Sequence, residues 1–492
     1  MTFLKDKAAP QVAPAKLASH DPLTPPALMD FMTQRWEKRG VGKPPKVEGV
    51  ANFARRRKAL SKAFPGELLI VPTGHEKVRA NDTHYAFRPG TEFYYLTGNV
   101  ECDCVLVLEP NGKSHRHVLY VEPNPGKSDS TFFTDRVKGE LWVGPRLGVP
   151  ESKARYGVDE CRPIRELESS LAKIAKTAPT RVLRGFSKVT EQSFNGAKKR
   201  TEERDKELGE YLSELRLVKD DLEVGELSKA IASTHRGFSD VIAELRVAKS
   251  ERAIEGTFWK RARSEGNDVG YGTIAACGDH ACTLHWTKND GSVNKKELML
   301  LDAGVEWSTL YTADITRTLP IGGKFSKEQR LVYELVLAAQ TAAMKAVKPG
   351  NDFLEPNRVA MRILAQGLID LGVLKCSFAE AMDPEKMFYR RYTLHNVSHM
   401  LGLDVHDCAR ARQETYKFGK LEPGMVLTVE PGLYFQRDDL TVPRKFRGIG
   451  VRIEDDVLVT KNGFKNLSSA IPRSVKDVEA WMKKVWSKSK KS

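Results

Sequence analysis

The sequence predicts an α+β fold, in which helices cover one face of a curved and mostly antiparallel sheet. Short apolar runs that end at a polar residue, such as LMLLD at 298–302 and MVLTVE at 425–430, are typical of buried strands. Other segments repeat apolar residues at helical spacing. At 492 residues the chain exceeds what one hydrophobic core supports, so two domains with flanking segments are expected.

Four segments are expected along the chain. Residues 1–40 form an amino-terminal extension that begins rich in alanine and proline, and 41–205 form a smaller α/β domain. Residues 206–475 form a larger domain, and 476–492 form a basic, solvated carboxy-terminal tail. Dense charge across 195–222 predicts an exposed helix that leads into the larger domain.

Three amphipathic helices are predicted in the larger domain. The apolar positions of the first follow a helical period: Leu227, Ile231, Phe238, Ile242 and Leu245. The second covers roughly 326–347 and ends before a Pro-Gly pair, and the third covers about 354–371 and ends before Gly372. We expect these helices to lie on the sheet.

Four carboxylates stand at or beside the ends of predicted strands. Asp302 ends the run LMLLD, Asp314 begins the alternating segment DITRTLP, and Glu430 meets the Pro-Gly break after MVLTV. In GVRIEDDVLV, Glu454 shares a strand face with Arg452, which would orient nearby acids and keep them ionised. A buried carboxylate without a partner is costly, so four such acids indicate a shared cation site.

Histidines accompany the carboxylates. The segment LHNVSHMLGLDVHD contains His395, His399 and His406, and CTLHWTKND contains His285. A single histidine or acid is more often a core or surface residue than a ligand, so the inference depends on the whole set. Four carboxylates with one imidazole form the hard, oxygen-rich set that suits a pair of divalent ions, most readily manganese.

These segments resemble the proline-specific metallopeptidases of the pita-bread fold, most closely aminopeptidase P, with prolidase as a near relative. The matching stretches occur in order: LLDAG, ADITRTLP, SHMLGLDVHD, LEPGMVLTVEPGLY and GVRIEDDVLVT. Upstream, TEFYYLTGN, CVLVLEP and GELWVGPRLG are similar to the amino-terminal domain of that family. The resemblance covers roughly positions 45–475 and implies a pita-bread catalytic domain preceded by a smaller α/β domain.

The resemblance also implies residue roles. Asp302 would chelate one metal ion, Asp314 and Glu454 would bridge two, and His399 with Glu430 would complete the other. A hydroxide shared by the ions would attack the peptide carbonyl. Glu430 would pass a proton to the leaving amine.

The remaining expected site residues are histidines and one arginine. By the same resemblance His406 would steady the tetrahedral intermediate, and His285 and His395 would line the substrate site. Arg452 would orient the metal ligands without binding a metal ion itself. Asn396 stands where this family often has glycine, a difference expected to alter the fit of the substrate beside His395.

One spacing departs from the family pattern. Eleven residues separate Asp302 from Asp314, where ten are more common. An additional residue within a strand would turn every later side chain to the other face. It is therefore expected in the turn around Glu306–Leu310 or in a bulge.

The composition of the chain indicates its cellular location and its partners. Seven cysteines without framework spacing favour a reducing compartment, and the first 26 residues lack the apolar core of a secretory signal, so a cytoplasmic location is expected. No apolar stretch is long enough for a membrane span, and no membrane partner is expected. The net charge of +15 comes without a nucleic-acid-binding motif, so nucleic acid is not an expected partner.

The leading hypothesis is an aminopeptidase that acts on short peptides with proline second, assembled as a homodimer or homotetramer, as the resemblance implies. An Xaa-Pro dipeptidase with the same metal site is the first alternative. A pita-bread binding protein without catalysis is the second, and the presence of all five ligand positions argues against it.

Overall fold

A computed structural model describes residues 24–37 and 42–488. The predicted extension 1–40 therefore lies largely outside the described residues, and within it the structure shows one short helix, Pro26–Met32. No helix in the described ranges is both long enough and apolar enough to cross a bilayer.

The smaller domain is built on a mixed five-stranded sheet. Its strands, with a separate hairpin (β2 and β3), are β1 Leu68–Pro72, β2 Val78–Ala80, β3 Thr83–His84, β4 Val105–Asn111, β5 Ser114–Val121, β6 Glu160–Pro163 and β7 Thr180–Val182. The strand order is β6-β5-β4-β1-β7, with β6 and β7 parallel to their neighbours and the other pairs antiparallel.

The described residues before the larger domain contain eight α-helices, and some of them cover the two faces of this sheet. They are α1 Pro26–Met32, α2 Val50–Ala63, α3 Thr91–Thr97, α4 Thr131–Thr134, α5 Glu140–Val143, α6 Val149–Tyr156, α7 Leu167–Thr177 and α8 Lys188–Ser193. Alternate residues of β1 enter different cores, Leu69 with α3 and Ile70 with α7. A strand that is apolar throughout is buried on both faces, which is why LLIVP lies inside an α/β domain.

The larger domain contains antiparallel sheets. Its strands are β8 Asp268–Val269, β9 Ile274–Cys277, β10 Leu298–Ala303, β11 Val305–Glu306, β12 Ile315–Pro320, β13 Val426–Val429, β14 Gly432–Phe435, β15 Ile449–Arg452, β16 Asp455–Thr460 and β17 Gly463–Asn466. One sheet has the order β12-β10-β9 and another the order β13-β16-β17, while β14 pairs with β15 and β8 with β11.

The helices of the larger domain include the three amphipathic helices predicted from the sequence. They are α9 Glu202–Leu215, α10 Asp221–Glu244, α11 Glu251–Glu265, α12 Lys327–Ala346, α13 Glu355–Asp370, α14 Phe378–Met382 and α15 Val475–Lys488. The five apolar residues predicted to form a buried stripe on α10 are all buried. Capping boxes start α10 and α12, where Asp220 and Ser326 accept hydrogen bonds from the third helical residue.

Helices and functional acids occupy opposite faces of the strands. Met299 and Leu301 of β10 pack in the core that contains α10 and α11, so the period of two points Asp302 to the other face. Leu427 and Val429 of β13 pack against α12 and α13 in the same way. The α+β prediction is confirmed, and it explains why the acids collect on the face that the helices leave open.

A turn lies between Asp302 and Asp314, in the region proposed for the additional residue, whose position stays a prediction. Trp307 and Tyr311 close it with a 2.9 Å backbone hydrogen bond, and Leu310 adopts a left-handed conformation at φ 66°. The register beyond the turn is kept, because Asp302 lies directly opposite Thr316 of β12.

Two expectations at the domain ends need correction. The helix predicted to be exposed buries Leu208 and Leu212 completely, and the expected boundary at 205/206 falls inside this helix, α9. The segment predicted as a solvated tail is instead helix α15 as far as Lys488, with Trp481 packed on α10. Its buried apolar residues follow a helical spacing. The lysines between them made the segment resemble a solvated tail. Residues 489–492 lie outside the described part of the chain.

Candidate metal centre

A cavity of about 570 Å³ opens on the face of the strands that the helices leave uncovered. It is lined by every residue that the sequence singled out: Asp302, Asp314, His399, Glu430, Glu454, His285, His395, His406 and Arg452. The structure thus brings together side chains that are spread over about 170 positions of the chain.

Strand geometry delivers the four carboxylates. Asp302 is the penultimate residue of β10, and Asp314 directly precedes β12, the antiparallel neighbour of β10. Glu430 follows β13, and Glu454 lies in the break between β15 and β16. Each acid therefore lies at a strand end or break, where a side chain can face a cavity while its neighbours stay in the core.

Three side chains form the tightest group. Ligand atoms of Asp314, His399 and Glu454 all lie within 4.8 Å of one another. Nε2 of His399 is 3.2 Å from Oδ2 of Asp314 and 3.5 Å from Oε1 of Glu430. Nδ1 of His399 donates to the carbonyl of Met400 at 3.1 Å, which leaves Nε2 as the nitrogen that faces the acids.

Glu454 shows that this group suits a cation. Its Oε2 accepts a 2.6 Å hydrogen bond from Thr316, whereas its Oε1 is buried and has no partner among the described residues. A buried carboxylate oxygen without a donor is unfavourable unless a cation satisfies it. Hard oxygen donors with one imidazole fit divalent metal ions.

Electrostatics support the same interpretation. Burial raises the pKa of Glu454 well above its ordinary value and the pKa of Glu430 to about 7, and the neighbouring carboxylates add to the rise. Burial by itself would lower the pKa of His399, but the hydrogen bond with Asp314 and the charge of Glu430 raise it to about 9. The cavity therefore attracts positive charge.

Arg452 pairs directly with Asp302. Its Nη2 donates to Oδ2 of Asp302 at 2.5 Å, its Nη1 donates to Tyr434 at 3.0 Å and its Nε donates to Thr316 at 3.1 Å. Among the acids near this arginine, the ion pair thus selects Asp302. It joins β15 to β10, which belong to different sheets, so sequence adjacency could not reveal it.

His395 is held as a neutral acceptor. Its Nδ1 donates to the backbone carbonyl of Asn396 at 2.9 Å, so its Nε2 accepts from the hydroxyl of Tyr434 at 2.8 Å. Burial, together with the charge of Arg452, lowers the pKa of His395 to about 4. Asn396 takes part through its backbone, which any residue type supplies.

His406 and His285 complete the cavity wall. The rings of His406 and His399 meet edge to face with centroids 4.5 Å apart. Burial lowers the pKa of His406, and the charge of His399 contributes. His285 enters from the loop that follows β9.

Sequence reasoning missed two tyrosines. The hydroxyl of Tyr271 lies 2.7 Å from Oδ1 of Asp302 and 2.5 Å from Oδ1 of Asp314, so it joins the two aspartates. Tyr434 joins Arg452 to His395. No local pattern marks Tyr271, whereas Tyr434 stands in the segment PGLYF beside Glu430, where an alternating strand could have suggested it.

Comparison with protein families gives two matches. Residues 225–461 match metallopeptidase family M24, and residues 53–183 match the aminopeptidase P amino-terminal domain. The first range contains all nine of the predicted site residues, and the second contains the whole five-stranded sheet.

Curated relatives match across both ranges. Xaa-Pro aminopeptidase 1 of Streptomyces coelicolor is 50% identical over 457 residues, which cover 92% of this chain and 91% of the relative. Xaa-Pro aminopeptidase 2 of the same organism is 51% identical over 432 residues, covering 87% and 90%. The Xaa-Pro aminopeptidase of Escherichia coli is 32% identical over 451 residues, covering 87% and 97%.

Solved structures agree with the fold. Aminopeptidase PepP of Pseudomonas aeruginosa superposes with a TM-score of 0.80 at 32% identity, covering 90% of this chain and 100% of that one. Aminopeptidase P of E. coli with the inhibitor Pro-Leu gives 0.78 at 30% identity, covering 89% and 99%. With half its residues identical to curated relatives along nearly their whole length, this chain belongs to metallopeptidase family M24, in the aminopeptidase P group that carries the additional amino-terminal domain.

Proposed function

We propose that this protein is a metal-dependent aminopeptidase that releases the first residue of peptides whose second residue is proline. The observation that carries the proposal is the convergence of four carboxylates and His399 in one cavity, in a chain 50% identical to an Xaa-Pro aminopeptidase. The match covers 91% of that relative, and this chain carries the amino-terminal domain of aminopeptidase P, which favours the aminopeptidase over the dipeptidase.

Five side chains would hold two divalent ions in this proposal: Asp302, Asp314, His399, Glu430 and Glu454. When bound, the ions would supply a water of lowered pKa and would polarise the scissile carbonyl. Tyr271 and Arg452 hold Asp302 in place, and Thr316 holds Glu454. This supporting layer fixes the carboxylates before any ion arrives, so less ordering is needed on binding.

Proton transfer is assigned to Glu430. A carboxylate in this cavity can accept a proton from the attacking water and return it to the substrate. Transfer of this proton from Glu430 to the leaving nitrogen would complete cleavage. His406, whose pKa is lowered by burial, would donate a hydrogen bond to the oxygen on which negative charge develops.

Proline specificity follows from the chemistry of the bond. The amide before proline has no N–H, so a site that needs that hydrogen bond binds it poorly. Here the cavity wall has apolar surface at Ile274, Leu284 and Val405. A pyrrolidine ring can pack on such a wall without leaving a polar group unpaired.

The native ions are proposed to be manganese, since the donors are mainly oxygen and no cysteine lines the cavity among the described residues. Chelation followed by addition of manganese, zinc or magnesium tests this assignment. Highest activity with manganese at equal metal content is the expected outcome. Higher activity with zinc under the same conditions would contradict it.

We further propose a cytoplasmic homodimer or homotetramer. All seven cysteines are unpaired, which fits a reducing compartment.

The segment Leu141–Val143 of the smaller domain exposes about half of each residue, at 55%, 48% and 55%. Exposed apolar clusters of this kind are common at subunit interfaces. Sedimentation at micromolar concentration distinguishes a dimer or tetramer from a monomer, and a monomer alone would contradict the proposal.

Release of free amino acid from three peptides tests the main proposal. The substrates are an Xaa-Pro-Xaa tripeptide, an Xaa-Pro dipeptide and a tripeptide without proline, each after chelation and addition of manganese. Cleavage of the proline tripeptide alone or preferentially is expected. Cleavage of the dipeptide alone would identify a prolidase, and no cleavage by folded, metal-loaded protein would favour a binding protein.

A further inference from the structure

The loop between β9 and β10 is fastened to one buried carboxylate. Glu251, the first residue of α11, is completely buried and accepts four hydrogen bonds. Its Oε1 accepts from the backbone N–H of Cys277 at 2.7 Å and from Nδ1 of His280 at 2.9 Å. Its Oε2 accepts from Nε1 of Trp286 at 2.8 Å and from the N–H of Gly291 at 2.7 Å.

These donors come from the beginning, the middle and the end of residues 277–291, which we call the clamp loop. The backbone N–H of Glu251 also donates to the carbonyl of Gly291 at 2.9 Å. The rings of His280 and Trp286 stack with centroids 3.8 Å apart, so two of the donors brace each other. One carboxylate thereby fixes both ends and the centre of the loop.

His285 stands next to Trp286 in this loop and lines the metal cavity. Among residues 24–37 and 42–488, no group forms a hydrogen bond with the imidazole of His285. Its position is therefore set by the backbone of the clamp loop. The indole of Trp286, held by Glu251, is the anchor nearest to it along the chain.

We propose that Glu251 is a positioning residue that aims His285 into the active cavity by holding the clamp loop. The proposal rests on the proposed peptidase function and extends it to a residue outside the cavity lining. Glu251 does not line the cavity, so it would act through the loop. A displacement of about 1 Å at a catalytic group can lower the rate about 100-fold, which makes such an anchor consequential.

Glu251→Gln tests the proposal with almost no change in volume. A carboxylate only accepts hydrogen bonds, whereas an amide presents an NH2 group in place of one oxygen. On the Oε2 side that group would meet two obligatory donors, from Trp286 and Gly291. On the Oε1 side it would meet the backbone N–H of Cys277. Either orientation breaks part of the clamp.

Trp286→Phe is a milder second variant. It removes one of the four donors and keeps an aromatic ring beside His280. It therefore reports on the clamp even if Glu251→Gln fails to fold. Glu109→Gln is the matched control, because Glu109 is also a buried carboxylate, paired with Arg116 and Arg162 in the smaller domain. This control should retain wild-type activity.

Two measurements follow on metal-loaded protein. Hydrogen exchange, followed by mass spectrometry, should be faster in residues 277–291 of Glu251→Gln and unchanged in β10. A double-mutant cycle with His285→Ala measures kcat/KM on the proline tripeptide. Glu251→Gln should lower kcat/KM about 10- to 100-fold in the wild-type background and no more than about 3-fold when His285 is already alanine.

Equal losses in both backgrounds would overturn the proposal, because Glu251 would then act independently of His285. Unchanged exchange in the clamp loop would overturn it as well. The failure of the proposed function is distinguishable, since wild-type protein would then not cleave the tripeptide at all. Metal content measured in every variant separates loss of positioning from loss of ions.

Discussion

Asp407 follows His406 in the chain, and its replacement tests how much a buried ion network contributes to this fold. Its carboxylate accepts from Nζ of Lys219 at 3.0 Å and from Nε of Arg216 at 3.2 Å, and all three side chains are buried. Arg216 has a second carboxylate partner in Glu92 at 3.3 Å. Within the described ranges Lys219 has no other carboxylate at ion-pair distance, so Asp407→Asn leaves a buried ammonium without its counter-charge.

The expected loss of stability is about 3–5 kcal/mol, the usual result of removing one partner from a buried ion pair. A separate estimate comes from the pKa of Asp407. Burial opposes ionisation of Asp407, but the charges of Lys219 and Arg216 outweigh it and lower its pKa from 3.8 to about 2. A difference of about two units corresponds to roughly 2–3 kcal/mol. The two estimates agree in order of magnitude.

The lowered pKa of Asp407 also determines how its contribution to stability depends on pH. Because the pKa is lower in the folded protein than in the unfolded chain, the stabilisation is fully present above about pH 4 and is lost as the pH falls towards 2. Wild type and Asp407→Asn should therefore differ most near neutral pH. Their difference should shrink below pH 4.

Urea unfolding at pH 7 and pH 3.5, followed by tryptophan fluorescence, measures this difference as a shift of the midpoint. Asp352→Asn is the control, because Asp352 pairs with Lys420 at 2.6 Å on the surface, with 42% and 64% of the side chains exposed. Exposed pairs contribute little, so this control should keep the wild-type midpoint. Equal midpoints for both variants at pH 7 would refute the reasoning.

Three further predictions concern the metal centre and the backbone. Asp314→Asn should remove most metal and most activity while the fold is retained; full turnover with metal retained would contradict the assignment of this ligand. His406→Ala should lower kcat by about 100-fold with metal content unchanged, and loss of metal instead would show that His406 has a different role. Gly304→Ala should destabilise the protein strongly, because a Cβ there would lie 1.6 Å from the carbonyl oxygen of Ala313. Gly225→Ala, on an exposed part of α10 with no atom within 4 Å of a Cβ, should instead stabilise it by roughly 0.5–1 kcal/mol, and similar thermal midpoints for both glycine variants would contradict this account.

Local sequence predicted the helices and strands that support the site. The second and third helices were placed within one residue of their observed ends, at Lys327–Ala346 and Glu355–Asp370. Helical periodicity and caps are properties of neighbouring residues, so they are legible without the fold. Helix α15 was missed because its four lysines mask a buried stripe of similar spacing.

The sequence by itself determined the candidate metal ligands, because an acid at the end of an apolar run must be buried and a buried acid needs a partner. Only the tertiary structure decided which partner each group has. Arg452 pairs with Asp302, 150 positions away, and Tyr271 joins two aspartates from different strands. Glu251 anchors the loop of His285 through donors up to 40 positions distant. Such contacts depend on how strands and helices pack across the domain, and no local pattern of residues encodes those distances.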